Sequence, residues 1–384
     1  MQTSEEPVLL DVARAEGVFL YDQNGRAIID MISGIGVSNL GHHQKSVVEA
    51  IQNQAENYLH TMVYGEFVQT PQVQLAQKLI EATHNHFGSV FFVNSGSEAV
   101  EGALKLAKRH TRRSNIVAMK NAYHGSTHGA LSLMSDPYFS NFYRPLVPGV
   151  SFMDFNDMSP MEIIDENCAA VVVEPIQGEA GYIPARQEFI KALRQRCDET
   201  GAVLIFDEIQ SGMGRTGKLF AYEHYDTIPD ILCSAKALGA GMPLGAFFAK
   251  PEMDQAFTKN PVLGHISTFG GHPVSCAAAL SGMEILMSQD IIEAVNDKEE
   301  LLRSLLVHPE IKGISGKGLM LSIELKDEPY LKSVVRRCLD QGLMIDWFLY
   351  ADDRLRISPP LVITKEEIKK AVDIILRALS HCSS

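Results

Sequence analysis

The stretch AVLIFDEIQSGMGRTGKLFAYEHYDTIPDILCSAKALGAGMPLG, residues 202–245, decides the fold of this 384-residue chain. It contains two apolar segments with the length and composition of buried strands. Asp207 stands near the end of the first segment and Lys236 near the end of the second. Because the reactive groups of open α/β sheets collect at the carboxyl ends of the strands, we expect these two side chains to lie close together.

Similar apolar runs alternate with helical patterns along most of the chain. One helical pattern ends at Gly201, a residue type typical of the position that follows a helix. The alternation predicts an α/β fold with a seven-stranded, mostly parallel sheet that helices cover on both faces. The apolar runs are SVFFVN (89–94), NIVAMK (115–120), VSFMDF (150–155), CAAVVVEPI (168–176), AVLIFDEI (202–209), ILCSAK (231–236) and GAFFAK (245–250).

The two ends of the chain differ from the middle. The run GVFLYDQNGRAIIDM alternates around residues 22–25, which predicts a β-hairpin, and helical periodicity begins near residue 49. After about residue 265 a long helix leads into an α+β tail, whose last helix opens with the capping box Thr364-x-x-Glu367. We therefore expect a large domain over residues 49–264 and a smaller α+β domain formed by residues 1–48 and 265–384.

Composition excludes several classes of partner. Lys and Arg number 34 against 47 Asp and Glu, a net charge of −13, which argues against nucleic acid and against an anionic membrane surface. No apolar run reaches membrane-spanning length, and the N-terminus lacks the basic and apolar regions of a signal peptide. The six cysteines are scattered without a CxxC pair, so we expect reduced, buried thiols and a cytoplasmic enzyme.

The surroundings of Lys236 and Asp207 indicate a specific chemistry. Lysines are usually solvated, but Lys236 lies between ILCSA and ALGAGMPLGA, where almost nothing is charged. Burial lowers the pKa of a lysine and makes its amine nucleophilic. A pyridine-aldehyde cofactor needs such a lysine for its Schiff base, and a carboxylate such as Asp207 to keep its ring nitrogen protonated. By itself, Asp207 could equally be a helix cap.

The segment Asn94-Ser95-Gly96-Ser97-Glu98 lies between a predicted strand and a predicted helix. Ser95-x-x-Glu98 fits a capping box, which would be a purely structural role. The amides at a helix N-terminus, together with serine hydroxyls, also bind phosphate. The two interpretations are compatible, and the presence of Lys236 and Asp207 favours a phosphate site.

Other motifs support their usual functions less well. Residues 212–217 match the dinucleotide fingerprint GxGxxG, but the aromatic segment and Pro229 that follow are a poor phosphate-binding helix. The extension to a P-loop fails because Leu219 has no hydroxyl for magnesium. His124 and His128 stand four residues apart without an accompanying HExxH carboxylate, so we expect no metal site. A GxSxG nucleophile elbow is absent from the sequence.

Seven motifs in order along nearly the whole chain resemble the class III, pyridoxal-phosphate-dependent aminotransferases. The family includes the acetylornithine, ornithine and 4-aminobutyrate aminotransferases. The resemblance implies the type I fold of these enzymes, with small-domain segments from both termini, and a homodimer with shared active sites. The motifs are NSGSEAVEGALKLAK, AYHGSTHGAL, VVVEPIQGEAGYIP, LIFDEIQSGMGRTGK, DILCSAKALGAGMPLGA, HISTFGGHPVSCAAA and LRISPPLVI.

The resemblance also implies roles for individual residues. The cofactor, pyridoxal 5′-phosphate, would be held through its aldehyde by Lys236 and through its ring nitrogen by Asp207. In the substrate pocket, Arg356 would bind an α-carboxylate and Glu179 would pair with Arg356 in one half-reaction and release it in the other. The remaining cofactor contacts would be Ser95, Gly96 and Ser97 at the phosphate, Thr268 at the phosphate of the neighbouring subunit, Gln210 near the ring hydroxyl, and Tyr123 and Ile209 on the two faces of the ring.

One departure from the family concerns the amine donor. Acetylornithine, ornithine and 4-aminobutyrate aminotransferases usually carry an arginine directly after the aromatic–His/Trp–Gly triplet, where this chain has Ser126. We expect transfer of an amino group from an amino acid or ω-amine, of acetylornithine or ornithine type, to 2-oxoglutarate or pyruvate. The alternatives are an aminomutase of the glutamate-1-semialdehyde type and a cofactor-binding protein without turnover. The sequence identifies neither the donor nor the oxo acid.

Overall fold

The computed structural model describes residue 4, residues 7–288 and residues 290–382, with only the backbone of Cys382. The strands in this part of the chain are β1 (Val12–Glu16), β2 (Phe19–Asp22), β3 (Ala27–Asp30), β4 (Ser89–Val93), β5 (Asn115–Met119), β6 (Val150–Met153), β7 (Cys168–Val173), β8 (Ile176–Gln177), β9 (Ile183–Pro184), β10 (Val203–Asp207), β11 (Ile231–Ser234), β12 (Gly245–Ala249), β13 (Gly313–Lys317), β14 (Met320–Glu324), β15 (Leu343–Met344), β16 (Asp346–Trp347) and β17 (Arg354–Ile357). The α-helices are α1 (Ser33–Gly36), α2 (Lys45–Asn57), α3 (Thr70–Ala82), α4 (Gly96–Thr111), α5 (His128–Leu131), α6 (Pro137–Ser140), α7 (Gln187–Thr200), α8 (Pro273–Ser288), α9 (Ala294–Leu305), α10 (Glu328–Asp340) and α11 (Lys365–Cys382).

The large sheet has seven strands in the order β4-β12-β11-β10-β7-β5-β6. All of its neighbouring strands run parallel except β12, which is antiparallel to β11 and β4. The interior strand β7 is fully buried, which explains its continuous run of apolar residues. The predicted α/β fold with a mostly parallel seven-stranded sheet is therefore confirmed.

A second group of sheets combines the two ends of the chain. The predicted N-terminal hairpin forms as β2 and β3, and β15 pairs with β3 in parallel, Leu343 opposite Ile29. A four-stranded antiparallel sheet of β13, β14, β17 and β16 lies in the C-terminal part, with α9, α10 and α11. The capping box at Thr364 forms as predicted, since its backbone N–H donates to Glu367 at 2.7 Å. The domain boundaries themselves stay a prediction.

All seven strands of the large sheet end one to three residues before the apolar runs predicted for them, and two of these strand ends shape the site. The run 168–176 is a strand only to Val173; its last residue, Ile176, starts a separate two-stranded ribbon of β8 and β9 that presents residues 178–182 to the site. The run 231–236 ends at Ser234, and Lys236 begins a short 3₁₀ turn with φ +50°. In both cases the backbone leaves the sheet where it must turn toward the site.

The structure also bears on the state of the cysteines and on whether a helix could cross a membrane. Five cysteines are free and buried in the described residues, as expected for reduced thiols, and the side chain of Cys382 lies outside them. Within the same residues, the helices are too short or too polar to cross a bilayer.

Candidate active site

Asp207 ends β10 and forms a buried pair with a histidine. Its Oδ2 lies 2.7 Å from His124 Nδ1, and its Oδ1 accepts a hydrogen bond from the Ile209 N–H at 3.0 Å. Burial alone would lower the pKa of His124, but the hydrogen bond and charge of Asp207 outweigh it and raise this pKa. The pair fixes the carboxylate of Asp207 at the sheet edge. The sequence pattern of His124 suggests only a metal ligand, so its pairing with Asp207 was not predicted.

Glu174 is a further buried acid that sequence reasoning did not select. Its two oxygens accept hydrogen bonds from the Tyr123 N–H at 3.3 Å and the Gly178 N–H at 2.9 Å. Burial raises the pKa of Glu174 to about 7, although the nearby His124 lowers it. Glu174 thereby ties together two loops that line the site. Its position directly after β7 is the signal that could have identified it.

Lys236 follows β11 at the same sheet edge as Asp207. Strands β10 and β11 are parallel neighbours with Asp207 opposite Cys233, so the predicted proximity is present. Burial lowers the pKa of Lys236 to about 8, with Glu179 raising it and Arg356 lowering it further. An amine with this pKa is partly neutral near neutral pH and can act as a nucleophile.

The N-terminus of α4 has the features of an anion site. Ser95 caps the helix by accepting the Glu98 N–H at 3.2 Å, while the Glu98 carboxylate accepts the Asn94 N–H at 2.9 Å, one residue earlier than in a regular capping box. Gly96 is packed so closely that a Cβ would lie 2.9 Å from Ile209 Cδ1. The helix has 16 residues, so its free N-terminal amides can bind a phosphate group.

A cavity of about 500 Å³ joins these groups, a size typical of small-molecule sites. The Oε1 of Gln210 is buried in it without a hydrogen-bond partner, as a polar atom that awaits a ligand would be. A lysine, a buried carboxylate, an unpartnered amide and a helix N-terminus fit a pyridine ring that carries a phosphate. The predicted residues in its lining are Ser95, Gly96, Ser97, Tyr123, Glu179, Asp207, Ile209, Gln210 and Lys236.

A second cavity of about 530 Å³ adjoins the first and shares Tyr123, Glu179 and Lys236 with it. We call this cavity the substrate chamber. Arg356, on β17, enters it and donates from its two terminal nitrogens to the two oxygens of Glu179, at 3.1 and 2.8 Å. The side chains of Arg356 and Glu179 are only 2 % and 7 % exposed. Arg356 lowers the pKa of Glu179 despite its burial, so both groups are charged.

Asp346 is the second acid in the substrate chamber, and the sequence analysis did not select it. It lies opposite Arg356 in the register of β16 and β17, with its Oδ1 3.0 Å from Arg356 Nε. Burial raises the pKa of Asp346 to about 6, although Arg356 lowers it.

Thr268 is the one predicted site residue that lies outside both cavities. It is exposed, and its hydroxyl is 3.3 Å from the Tyr64 hydroxyl. The exposed side chains of Ile266 and Phe269 lie on either side of it along the chain.

The GxGxxG segment and the His124–His128 spacing, which supported their usual functions poorly in the sequence, have structural explanations. The buried Arg215 of the GxGxxG segment donates to the carbonyl groups of Leu319 and Pro359 and to Asn39, joining the large sheet to the C-terminal part. His128 is exposed at the start of α5, whereas His124 is buried. Groups of three or more potential metal ligands are absent from the described residues.

Comparisons with known proteins give a consistent result. Residues 1–379 match the family model for class III aminotransferases. The chain is 41 % identical to an acetylornithine aminotransferase of Methanopyrus kandleri, over 95 % of this chain and 92 % of that protein. It is 39 % identical to that of Bacillus subtilis, over 98 % and 96 %. The ornithine aminotransferase of Toxoplasma gondii, seen with partial occupancy of PLP, superposes with a TM-score of 0.92 at 28 % identity, over 99 % of this chain and 92 % of that one.

Proposed function

Because the chain belongs to the class III aminotransferases, we propose that it moves an amino group from an amino acid or ω-amine to 2-oxoglutarate or pyruvate. It is a pyridoxal-phosphate-dependent aminotransferase. When bound, the cofactor supplies a cationic ring that accepts the electron pair of the substrate carbon. The observation that carries the proposal is the buried Lys236, whose pKa is lowered to about 8, in one cavity with the Asp207–His124 pair.

Lys236 would hold the cofactor covalently and would later transfer the proton of the donor carbon. When the amine donor takes its place, the Nζ of Lys236 is a free amine within the cavity, and part of it is neutral near neutral pH. It can take the proton from the donor carbon and return a proton in the next step, as a general base and acid. Its lowered pKa suits both directions of transfer near neutral pH.

The other cavity residues would bind and orient the cofactor. Asp207 would keep the ring nitrogen protonated, and His124 holds Asp207 in place. The N-terminus of α4 would bind the phosphate. Tyr123 and Ile209 would cover the two ring faces, and Gln210 would use its unpartnered oxygen near the ring hydroxyl.

The pair of Arg356 and Glu179 would select between two kinds of substrate. With Glu179 on the guanidinium, the substrate chamber accepts an amine without an α-carboxylate. When a 2-oxo acid enters, its carboxylate takes the place of Glu179 on the same two nitrogens. Donors of the acetylornithine and ornithine type are the first to test, given the activities named for the relatives.

We also propose a homodimer with shared active sites. Residues 59–68 and residues 262–269 form two segments that contact each other at Thr268, and both carry exposed apolar side chains, such as Val68 (93 % exposed) and Val262 (72 % exposed). His60 connects the two segments by a contact of 2.8 Å with the carbonyl of Thr268. Several exposed apolar side chains in two contacting segments are typical of a subunit interface. The buried free thiols support a reducing, cytoplasmic setting.

Absorbance spectroscopy tests the function directly. The purified protein should carry a yellow chromophore that Lys236→Ala loses, together with its turnover. The pyridoxamine form should return to the yellow form on addition of 2-oxoglutarate or pyruvate. An aminomutase would instead interconvert its substrate without an oxo acid, and a protein without turnover would respond to neither.

Mixed dimers test the shared sites. A dimer of one Lys236→Ala subunit and one Thr268→Ala subunit contains one site with both changes and one site with neither. If Thr268 serves the site of the neighbouring subunit, the purified mixed dimer has about half of the wild-type activity. An equal mixture of the two variants, in which about half of the dimers are mixed, has about a quarter. Absence of any gain over the separate variants would exclude this arrangement.

A further inference from the structure

The charges of the substrate chamber are unbalanced. Among the described residues that line it, the Lys and Arg side chains are Lys236 and Arg356, and the acids are Glu179 and Asp346. Lys236 is committed to the cofactor if the proposed function is correct. One guanidinium then faces two carboxylates, and the chamber carries a net negative charge.

All N–H directions of the Arg356 guanidinium meet protein groups. The two terminal nitrogens bind Glu179, and they also donate to the Trp347 carbonyl at 3.0 Å and the Tyr182 hydroxyl at 3.4 Å. Asp346 forms an ion pair with Nε at 3.0 Å, although neither Nε nor Oδ1 has a hydrogen-bond partner. Arg356 is thus shared between Glu179 and Asp346, and its single positive charge cannot neutralise both carboxylates.

Asp346 is also accessible to a substrate. Its side chain is 22 % exposed, whereas that of Arg356 is 2 % exposed, and it lines the substrate chamber. The residue after the Tyr123-His124-Gly125 triplet, Ser126, is neutral and bonds to the Tyr123 hydroxyl at 3.2 Å. Apart from Lys236, which holds the cofactor under the proposed function, and His124, which is paired with Asp207, the described residues of both cavities offer a distal carboxylate no cation beyond Arg356.

Resting on the proposed function, we infer that Asp346 selects amine donors that carry a second cationic amine and no carboxylate, which are diamines with a free ammonium group. The reacting amine lies at Lys236 and the second ammonium lies against Asp346 in the same chamber. A distal carboxylate meets Asp346 and Glu179 and is repelled. An acyl group on the second nitrogen removes its charge and with it this attraction.

Donors of matched length test the inference. The probes are 1,4-diaminobutane, 1-aminopentane and 4-aminobutyrate, which end in an ammonium, a methyl and a carboxylate group; 1,3-diaminopropane, 1,5-diaminopentane and 1,6-diaminohexane find the best length. The holoenzyme should convert to its pyridoxamine form about three- to tenfold more efficiently with the best diamine than with its methyl-ended counterpart, and least with 4-aminobutyrate. Asp346→Asn should remove the advantage of the diamine, whereas Asp352→Asn, an exposed acid nearby, should keep it.

A binding measurement separates recognition from turnover. Borohydride-reduced holoenzyme does not turn over, and calorimetry should show the same preference for the diamine in its dissociation constants. In the wild-type protein this preference should shrink as salt is added, which tests the inference even if Asp346→Asn fails to fold. The inference would be overturned if Asp346→Asn reduced the efficiency equally for 1,4-diaminobutane, 1-aminopentane and 4-aminobutyrate. It would also be overturned if the wild-type protein showed no preference for the diamine. Failure of every donor and oxo acid to change the wild-type spectrum would instead refute the proposed function.

Discussion

The exchange of partners on Arg356 leads to a quantitative prediction for Glu179→Gln. A 2-oxo acid must displace Glu179 from two hydrogen bonds of 3.1 and 2.8 Å, between side chains 2 % and 7 % exposed. Glutamine keeps one oxygen acceptor and turns an N–H₂ group toward the guanidinium, so it loses one charge-assisted bond. Such a bond contributes about 1.5–3 kcal/mol. The 2-oxo acid therefore displaces glutamine more easily by about 2 kcal/mol, or about 30-fold in affinity.

Single-turnover absorbance measures this effect. The pyridoxamine form of Glu179→Gln should react with 2-oxoglutarate at a concentration for half-maximal rate that is about 30-fold lower than in the wild type. Butanal, which lacks a carboxylate, should show no such gain, and neither should Glu188→Gln, which changes an exposed acid on α7. An unchanged or higher half-maximal concentration for 2-oxoglutarate would refute the idea that Glu179 competes with the substrate.

Three further changes test the cofactor site and the fold. Because burial lowers the pKa of Lys236 to about 8, cofactor uptake by the apoenzyme should fall about tenfold per pH unit below that value and level off above it, as followed by absorbance. Gly245→Ala would place a Cβ 2.2 Å from the Ser95 carbonyl oxygen, so we expect a loss of about 1–3 kcal/mol in unfolding free energy and weaker cofactor binding. Arg215→Met leaves three buried acceptors without their donor, and urea unfolding should show a loss of about 2–4 kcal/mol.

Each of these expectations has a control or a contrary outcome. Cofactor uptake that continues to accelerate up to pH 10.5, the ordinary pKa of a lysine, would show that the pKa of Lys236 is not lowered. Gly239→Ala is the control for Gly245→Ala, since the new Cβ at position 239 would make only ordinary contacts, the nearest at 3.4 Å. Arg14→Met removes an exposed arginine and should leave stability nearly unchanged. Equal effects in test and control variants would contradict the packing argument.

The sheet and the main reactive pair could be predicted because they depend on local sequence. The apolar runs had the period and length of buried strands, and Asp207 and Lys236 stood where parallel strands end. Glu179 and Arg356 were different: 177 residues separate them, and only the resemblance to a family connected them.

Asp346 and His124 depend on information that the sequence pattern does not hold. The segment from Asp346 to Arg356 contains three aspartates, and only the register of β16 against β17 decides which of them faces the guanidinium. His124 lies in an irregular loop, and its partner comes from a strand 83 residues away. Long-range register and loop conformation are tertiary properties, so motifs identified neither contact.

The parallel pairing of β3 with β15 has a consequence for synthesis on the ribosome. Ile29 emerges early, but its partner Leu343 follows about 300 residues later. At 5–20 residues per second, the hairpin waits roughly 15–60 s with an unpaired strand edge. During this time the edge of β3 is open to pairing with neighbouring polypeptides. A stop codon before residue 343 would leave the beginning of the chain, as well as its end, without a partner.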